Sequence, residues 1–216
     1  MSQSQLVRRA SWIGMAGAAG QVVYGVLAVF FPYPTITDSG FEVLWALANI
    51  GMVAGIVSWL ALDVAQPRPA ALLGGGLAIL GHVIRIAVSG WLVASPNARV
   101  DPVVVAAIVL MFGGMGLLGI CTLRARRLVG WSRWAPLLVL AAGLVAAPFY
   151  SVDKLVHFIL LGLLWGPTWL FLSYVAHEHA TAEVRAPLLT PDGPRPHLPT
   201  AVPAHDDDRR RVPGNS

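Results

Sequence analysis

The sequence of residues 102–123 is PVVVAAIVLMFGGMGLLGICTL, and none of its 22 side chains carries a charge. A helix needs roughly 20 mostly apolar residues to cross the hydrocarbon core of a bilayer. The segment is too long for a strand of a membrane barrel, and apolar and polar residues do not alternate along it. It therefore predicts a transmembrane α-helix.

Five further segments have the same apolar character, and among them only residues 71–93 contain a charged side chain, Arg85. Prolines lie between or at the ends of several of these segments, where a helix tolerates them. The five segments are residues 10–31, 43–62, 71–93, 134–152 and 155–176. Together with residues 102–123 they predict an all-α, polytopic integral membrane protein, a bundle of six transmembrane helices within residues 10–176.

The composition excludes several other classes of protein. The chain of 216 residues is 56% hydrophobic and only 12% charged, whereas a soluble domain carries about 25% charged residues. That difference excludes an ordinary soluble domain, a disordered chain and a coiled coil. A single cysteine, Cys121, excludes a disulfide scaffold. The excess of basic residues lies in the predicted membrane part, so we expect no nucleic-acid partner.

The loop arginines predict the orientation in the membrane. The N-terminus and the loops 63–69 and 124–133 carry seven arginines, whereas the loops 32–42, 94–101 and 153–154 carry only Arg99 and Lys154. Because positive residues favour the cytoplasmic side, we expect both termini in the cytoplasm. The seven are Arg8, Arg9, Arg68, Arg124, Arg126, Arg127 and Arg133. We expect the protein in the plasma membrane. The composition indicates a bacterial protein, so this membrane is the bacterial inner membrane.

Two terminal segments flank the predicted membrane domain. Residues 1–9 form a short cytoplasmic N-terminus. Residues 177–216 contain seven prolines and the charged run Asp206-Asp207-Asp208-Arg209-Arg210-Arg211. A segment of this composition cannot bury enough apolar surface to fold alone, so we expect a disordered cytoplasmic tail.

Polar side chains inside the predicted spans are costly in a bilayer and therefore point to a candidate site. His82 falls at the centre of residues 71–93, and Arg85 lies one helical turn closer to the outer face. A central arginine costs roughly 2.5–3.5 kcal/mol on insertion scales. We therefore expect Arg85 to face the bundle or a hydrated cavity rather than lipid.

Depth in the membrane suggests partners for these two residues. Asn49 lies in the outer half of the second predicted span, and Asp153 and His157 lie at the outer end of the sixth. We expect Arg85, His82, His157, Asn49 and Asp153 to line an outward-facing polar cavity. Glu42 is one candidate for neutralising Arg85. A purely structural role, in an internal ion pair or in hydrogen bonds between helices, is the alternative for each residue.

Three functions remain open at this point. We expect a binding or transport protein for an anionic small molecule or lipid, because arginine favours anionic groups. A non-catalytic membrane subunit or scaffold, assembled with a second copy or with another membrane protein, is one alternative. An enzyme acting on a lipid-like substrate is the other. The sequence contains no hydrolase, zinc-peptidase or phosphate-loop motif. We therefore assign no catalytic residue, no cofactor and no metal site, and treat His177-Glu178-His179 as an interfacial segment.

Overall fold

The computed structural model describes residues 2–31, 38–95 and 100–189. The described residues form helices and no β-strand. The helices are α1 (Gln3–Phe30), α2 (Asp38–Ala61), α3 (Arg68–Ala94), α4 (Asp101–Ala125), α5 (Ala135–Ala146), α6 (Phe149–Val152), α7 (Lys154–Leu160) and α8 (Gly166–Leu189). A short 3₁₀ helix, Gly130–Trp134, precedes α5, and a π-helical turn, Leu161–Trp165, joins α7 to α8. The predicted all-α class is confirmed.

Five of the helical segments are long and apolar enough to cross a membrane. A sixth apolar segment, Gly130–Ala146, is shorter. The five are Gln3–Phe30, Gly40–Ala61, Arg68–Ala94, Asp101–Ala125 and Leu155–Ala182. Six apolar helical segments in this arrangement match the predicted six-helix bundle. Their composition indicates a membrane protein.

The fifth predicted span is the one that differs most from the structure. A continuous helix over residues 134–152 was expected, but α5 ends at Ala146 and α6 begins at Phe149. Pro148 lies at the break, and its nitrogen has no hydrogen to donate to a carbonyl four residues earlier. A second break follows at Asp153, whose backbone is extended (φ −150°, ψ 103°). The fifth predicted span therefore contains a shorter helix that ends just before Pro148.

The first and last helices extend beyond the predicted spans. Ser2 and Gln5 form a capping box, in which the Ser2 hydroxyl accepts from the Gln5 backbone N–H at 3.3 Å. This cap starts α1 seven residues before the apolar run begins. At the other end of the chain α8 continues to Leu189, so residues 177–189 of the expected disordered tail are helical. Residues 190–216 lie outside the described residues.

Close contacts between glycines bring α1 against α2. A Cβ atom placed on Gly51 would lie 2.8 Å from the backbone nitrogen of Gly17 and 2.9 Å from the carbonyl oxygen of Ile13. Side chains of any size are therefore excluded at this crossing. Small residues permit such close packing between membrane helices. The same relation holds between Gly25 on α1 and Gly162 in the π-helical turn.

Charged contacts gather at one end of the bundle, which we call the arginine end. Asp63 at the end of α2 accepts from Arg127 at 3.2 Å and also from Arg68. The hydroxyl of Ser11 on α1 lies 3.4 Å from Nδ1 of His177 on α8. The start of α1, the end of α4 and the later part of α8 therefore meet at the same end. The cavity described below lies toward the opposite end, which we call the cavity end.

Candidate functional site

A cavity of about 240 Å³ lies toward the cavity end of the bundle. Its wall is formed by residues of α1 to α7 and of the π-helical turn. The polar lining consists of Glu42, Arg85, Asp101 and His157 together with Tyr24 and Tyr150. The aromatic lining consists of Phe41, Trp45, Phe112, Phe158 and Trp165. An apolar cavity with a few converging polar groups is typical of a ligand site.

Arg85 is the only cation with a permanent charge among the described residues of this lining. Its side chain is 11% exposed, and its nearest carboxylate oxygen, Glu42 Oε2, is 4.0 Å from the guanidinium. Its Cζ lies 5.4 Å from the centre of the Trp45 ring, in a cation–π contact. Charge-assisted hydrogen bonds between nitrogen and oxygen are about 2.7–2.9 Å long. The pair with Glu42 is longer, so the guanidinium keeps donors that a ligand oxygen can use.

His82 and Asn49 form a buried pair beside the cavity rather than in its wall. Asn49 donates its side-chain N–H to the carbonyl of Trp45 at 2.8 Å, which leaves its amide oxygen to accept. His82 Nδ1 lies 2.7 Å from that oxygen, so the donor in this bond is the Nδ1–H of His82. The His82 ring also stacks on Trp165, with 6.3 Å between ring centres and 17° between planes. The pair thus packs against the Trp165 ring of the cavity wall and bonds to the backbone of Trp45.

His157 lies in the cavity wall. Its Nδ1–H donates to the carbonyl of Ala146 at 2.8 Å, at the end of α5. Its ring also makes an edge contact with Tyr150 at 5.3 Å between centres. Because Nδ1 is used in the bond to Ala146, Nε2 is the ring nitrogen that remains to meet a ligand.

Asp153 has a different position from the one expected. Its carboxylate accepts from the backbone N–H groups of Leu155 at 2.9 Å and Val156 at 3.1 Å. This is the N-cap of α7, a position that aspartate strongly favours. The residue is exposed and does not line the cavity. The structure therefore brings Arg85 and His157 together in the cavity, sets His82 and Asn49 behind its wall, and leaves Asp153 outside.

The π-helical turn shapes the floor of the cavity. Pro167 has no N–H, so the carbonyl of Leu163 loses its helical partner. The Gly166 N–H bonds instead to the carbonyl of Leu161, five residues earlier, and this spacing is the π-helical one. Both ends of the turn, Leu161 and Trp165, line the cavity. Such turns are frequent at functional sites.

Several lining residues were missed or misplaced at the level of the sequence. Tyr150 was not selected as a site residue from the sequence, but it lines the cavity and its hydroxyl donates to Asp101 at 3.4 Å. Nothing in the sequence marked Trp45 and Phe158 as cavity-lining residues, because aromatic side chains are common on all sides of a membrane helix. Glu42 was named as a partner for Arg85 only because the two residues lie at a similar depth in the predicted membrane. It is the carboxylate closest to Arg85 among the described residues.

No group of three or more histidine, cysteine, aspartate or glutamate side chains in the described ranges is arranged to hold a metal ion. The His177 ring packs against Trp12, with 5.3 Å between ring centres. The chain matches no protein-family model, no curated protein and no solved structure. The chemistry of the cavity follows from its lining: an arginine that can bind an anion, set among aromatic rings that can pack against an apolar group.

Proposed function

We propose that the protein binds a small amphiphilic anion in this cavity, as a binding or transport protein of the plasma membrane. The observation that carries the proposal is Arg85, which is nearly buried among aromatic rings and lies 4.0 Å from its carboxylate partner. A buried guanidinium is retained at a cost in a bilayer. Its planar set of donors suits a carboxylate, sulfonate or phosphate oxygen.

The size of the cavity limits the ligand. A cavity of about 150 Å³ is sufficient for benzene, and drug-sized ligands occupy cavities of about 300–1,000 Å³. The present volume of about 240 Å³ lies between these values. We infer that the ligand carries one ring or a short acyl segment beside Phe112 and Trp165, and one anionic group beside Arg85. An anionic lipid and a free organic anion share this chemistry.

In this proposal the cavity end faces the outside of the cell, because positive residues favour the cytoplasmic side and gather at the arginine end. The ligand then enters from the outer leaflet or from the external solution. Helices long enough to cross the bilayer surround the cavity. A transport function requires in addition that the cavity become accessible from the arginine end.

A binding experiment with benzenesulfonate tests the proposal, because this anion is permanently ionised and has one ring. The purified full chain in detergent is heated with and without the anion, and with neutral benzenesulfonamide as the matched compound. Unfolding is followed with a thiol-reactive dye, since the only cysteine, Cys121, is 2% exposed. A ligand at one hundred times its Kd stabilises the folded state by about 2.7 kcal/mol.

We expect benzenesulfonate, and not benzenesulfonamide, to raise the unfolding midpoint of the wild type. Arg85→Gln should abolish this rise, whereas Arg124→Gln at the arginine end should leave it unchanged. An equal rise in Arg85→Gln would place the anion elsewhere and refute the proposal. An anionic phospholipid in mixed micelles distinguishes a lipid ligand from a free anion. If the wild type responds neither to benzenesulfonate nor to the anionic phospholipid, the subunit or scaffold alternative is favoured. For that alternative we expect a membrane protein to copurify with the chain.

A further inference from the structure

The carboxylate of Glu42 belongs to the same chemical class as the proposed ligand. It lines the cavity and faces the guanidinium of Arg85 at 4.0 Å. Its Oε2 is buried and has no hydrogen-bond partner among the described residues. Glu42 therefore occupies the position next to Arg85 that an anionic ligand needs.

Charge balance decides what happens when an anion enters. Ionised Glu42 and Arg85 together carry no net charge, so an added anion places two negative groups beside one positive group. Two anionic groups that share a poorly hydrated site cannot both stay ionised without a large cost. Either Glu42 loses its charge or the anion is excluded.

Packing holds Glu42 close to Arg85. The neighbouring Phe41 and Trp45 on α2 are 7% and 8% exposed. Both rings contact Tyr24 on α1, each with 5.1 Å between ring centres. These contacts fix the first turns of α2 against α1. The backbone of Glu42 is thus held beside the cavity, its side chain is 23% exposed, and protonation removes its charge without moving α2.

We propose that Glu42 takes up one proton from the aqueous phase when an anion binds to Arg85. This inference rests on the proposed function, since it concerns the same site. The proton forms an O–H bond on the carboxylate of Glu42, no bond of the ligand breaks, and no electrons are transferred. The anion and the proton together add no net charge to the cavity. A transporter built in this way moves the two together.

Other titratable side chains face Glu42 across the cavity. Asp101 on α4 lies in an exposed position and accepts from Tyr150. On α7, His157 uses Nδ1 in its bond to the carbonyl of Ala146. Its Nε2 takes no part in that bond, so His157 is the side chain that competes with Glu42 for the proton. The full set is Tyr24 on α1, Arg85 on α3, Asp101 on α4, Tyr150 on α6 and His157 on α7.

Calorimetric titration of the full chain with benzenesulfonate measures the proton directly. The probe does not titrate, so any proton taken up belongs to the protein. Titrations in buffers of different ionisation enthalpy give the number of protons bound per anion. For the wild type we expect one proton taken up per anion and an affinity that falls as the pH rises.

The Glu42→Gln variant should bind benzenesulfonate without proton uptake and with an affinity that does not depend on pH. This affinity should equal the limit that the wild type reaches at low pH. Glu178→Gln, at an exposed position of α8 outside the cavity lining, serves as the matched carboxylate variant and should behave as the wild type. The unfolding midpoint of each variant, measured through Cys121, shows whether it is folded.

Two results would overturn the inference while leaving the proposed function intact. One is a wild type that binds the anion without proton uptake. The other is a Glu42→Gln variant that still takes up one proton, which His157→Gln would then abolish. A different result, no binding to the wild type at low pH or to Glu42→Gln at any pH, would refute the proposed function itself.

Discussion

The close crossing of α1 and α2 gives the sharpest quantitative prediction. In Gly51→Ala the added Cβ would lie 2.8 Å from the backbone nitrogen of Gly17 and 2.9 Å from the carbonyl oxygen of Ile13. Both atoms belong to the backbone, so the helices themselves must separate. Overpacking of this kind costs about 1–3 kcal/mol. The substitution also gains about 1 kcal/mol from the higher helix propensity of alanine.

Gly113→Ala is the matched control that removes the propensity contribution. Gly113 lies inside α4 and is exposed, and a Cβ atom placed on it would have no heavy atom within 4 Å outside its own helix. Both variants gain the same helix propensity. The difference between their free energies of unfolding is therefore the cost of separating α1 from α2. We expect Gly51→Ala to be less stable than Gly113→Ala by about 1–3 kcal/mol. For a chain of this length that corresponds to a difference of about 2–12 °C in Tm.

Thermal unfolding with a thiol-reactive dye in detergent measures the difference, since Cys121 is the only cysteine and is 2% exposed. Equal midpoints for the two variants would refute the crossing at Gly17 and Gly51. If Gly113→Ala unfolds at a lower temperature than the wild type, α4 packs against a partner at this position.

Three further variants test other parts of the structure. Asn49→Ala leaves Nδ1 of His82 buried without an acceptor, and we expect a loss of about 1–3 kcal/mol in the free energy of unfolding, measured with the same dye. Arg126 has φ 52° at the end of α4, so Arg126→Gly should relieve a left-handed backbone and raise stability by about 0.5–1 kcal/mol. A cysteine at Val152, which is 80% exposed at the cavity end, should react with a membrane-impermeant thiol reagent added outside intact cells, whereas a cysteine at Gln5 should not.

Each of these predictions has an outcome that contradicts it. An Asn49→Ala variant as stable as the wild type would show that the buried pair is dispensable. Arg124→Gly, within α4, should lower stability, and the same effect in Arg126→Gly would contradict the argument from φ. Labelling at Gln5 but not at Val152 would invert the proposed orientation.

The apolar runs of the sequence were sufficient to predict the class of fold and the six apolar helical segments. The ends of the helices were harder to predict, because polar residues extend them without any apolar signal. Ser2 and Gln5 start α1 through a capping box, and the segment 177–189 continues α8 although it contains charged residues. The break at Pro148 divided a run that is apolar throughout, so hydropathy alone gave no reason to end α5 at Ala146.

The candidate site was predictable only in part, for a geometric reason. Position along a span gives the height of a residue in the bundle, whereas its direction around the helix axis depends on which neighbours pack against it. Height was enough to select Arg85 and to name Glu42 as a partner. It also grouped Asp153 with them, although that side chain serves as an N-cap. The direction of His82, toward Asn49 and Trp165, required the structure.

The π-helical turn at Leu161–Trp165 has a consequence for insertions and deletions in this helix. A π turn holds one residue more than an α turn, whereas each residue of a regular α-helix advances about 100° around the axis. The turn at Leu161–Trp165 therefore absorbs its extra residue without rotating α7 against α8. Removing one residue between Leu161 and Trp165 should restore a regular helix and leave His157 and Trp169 both facing the interior. A deletion in the regular part of α8 would instead rotate the residues beyond it by about 100°.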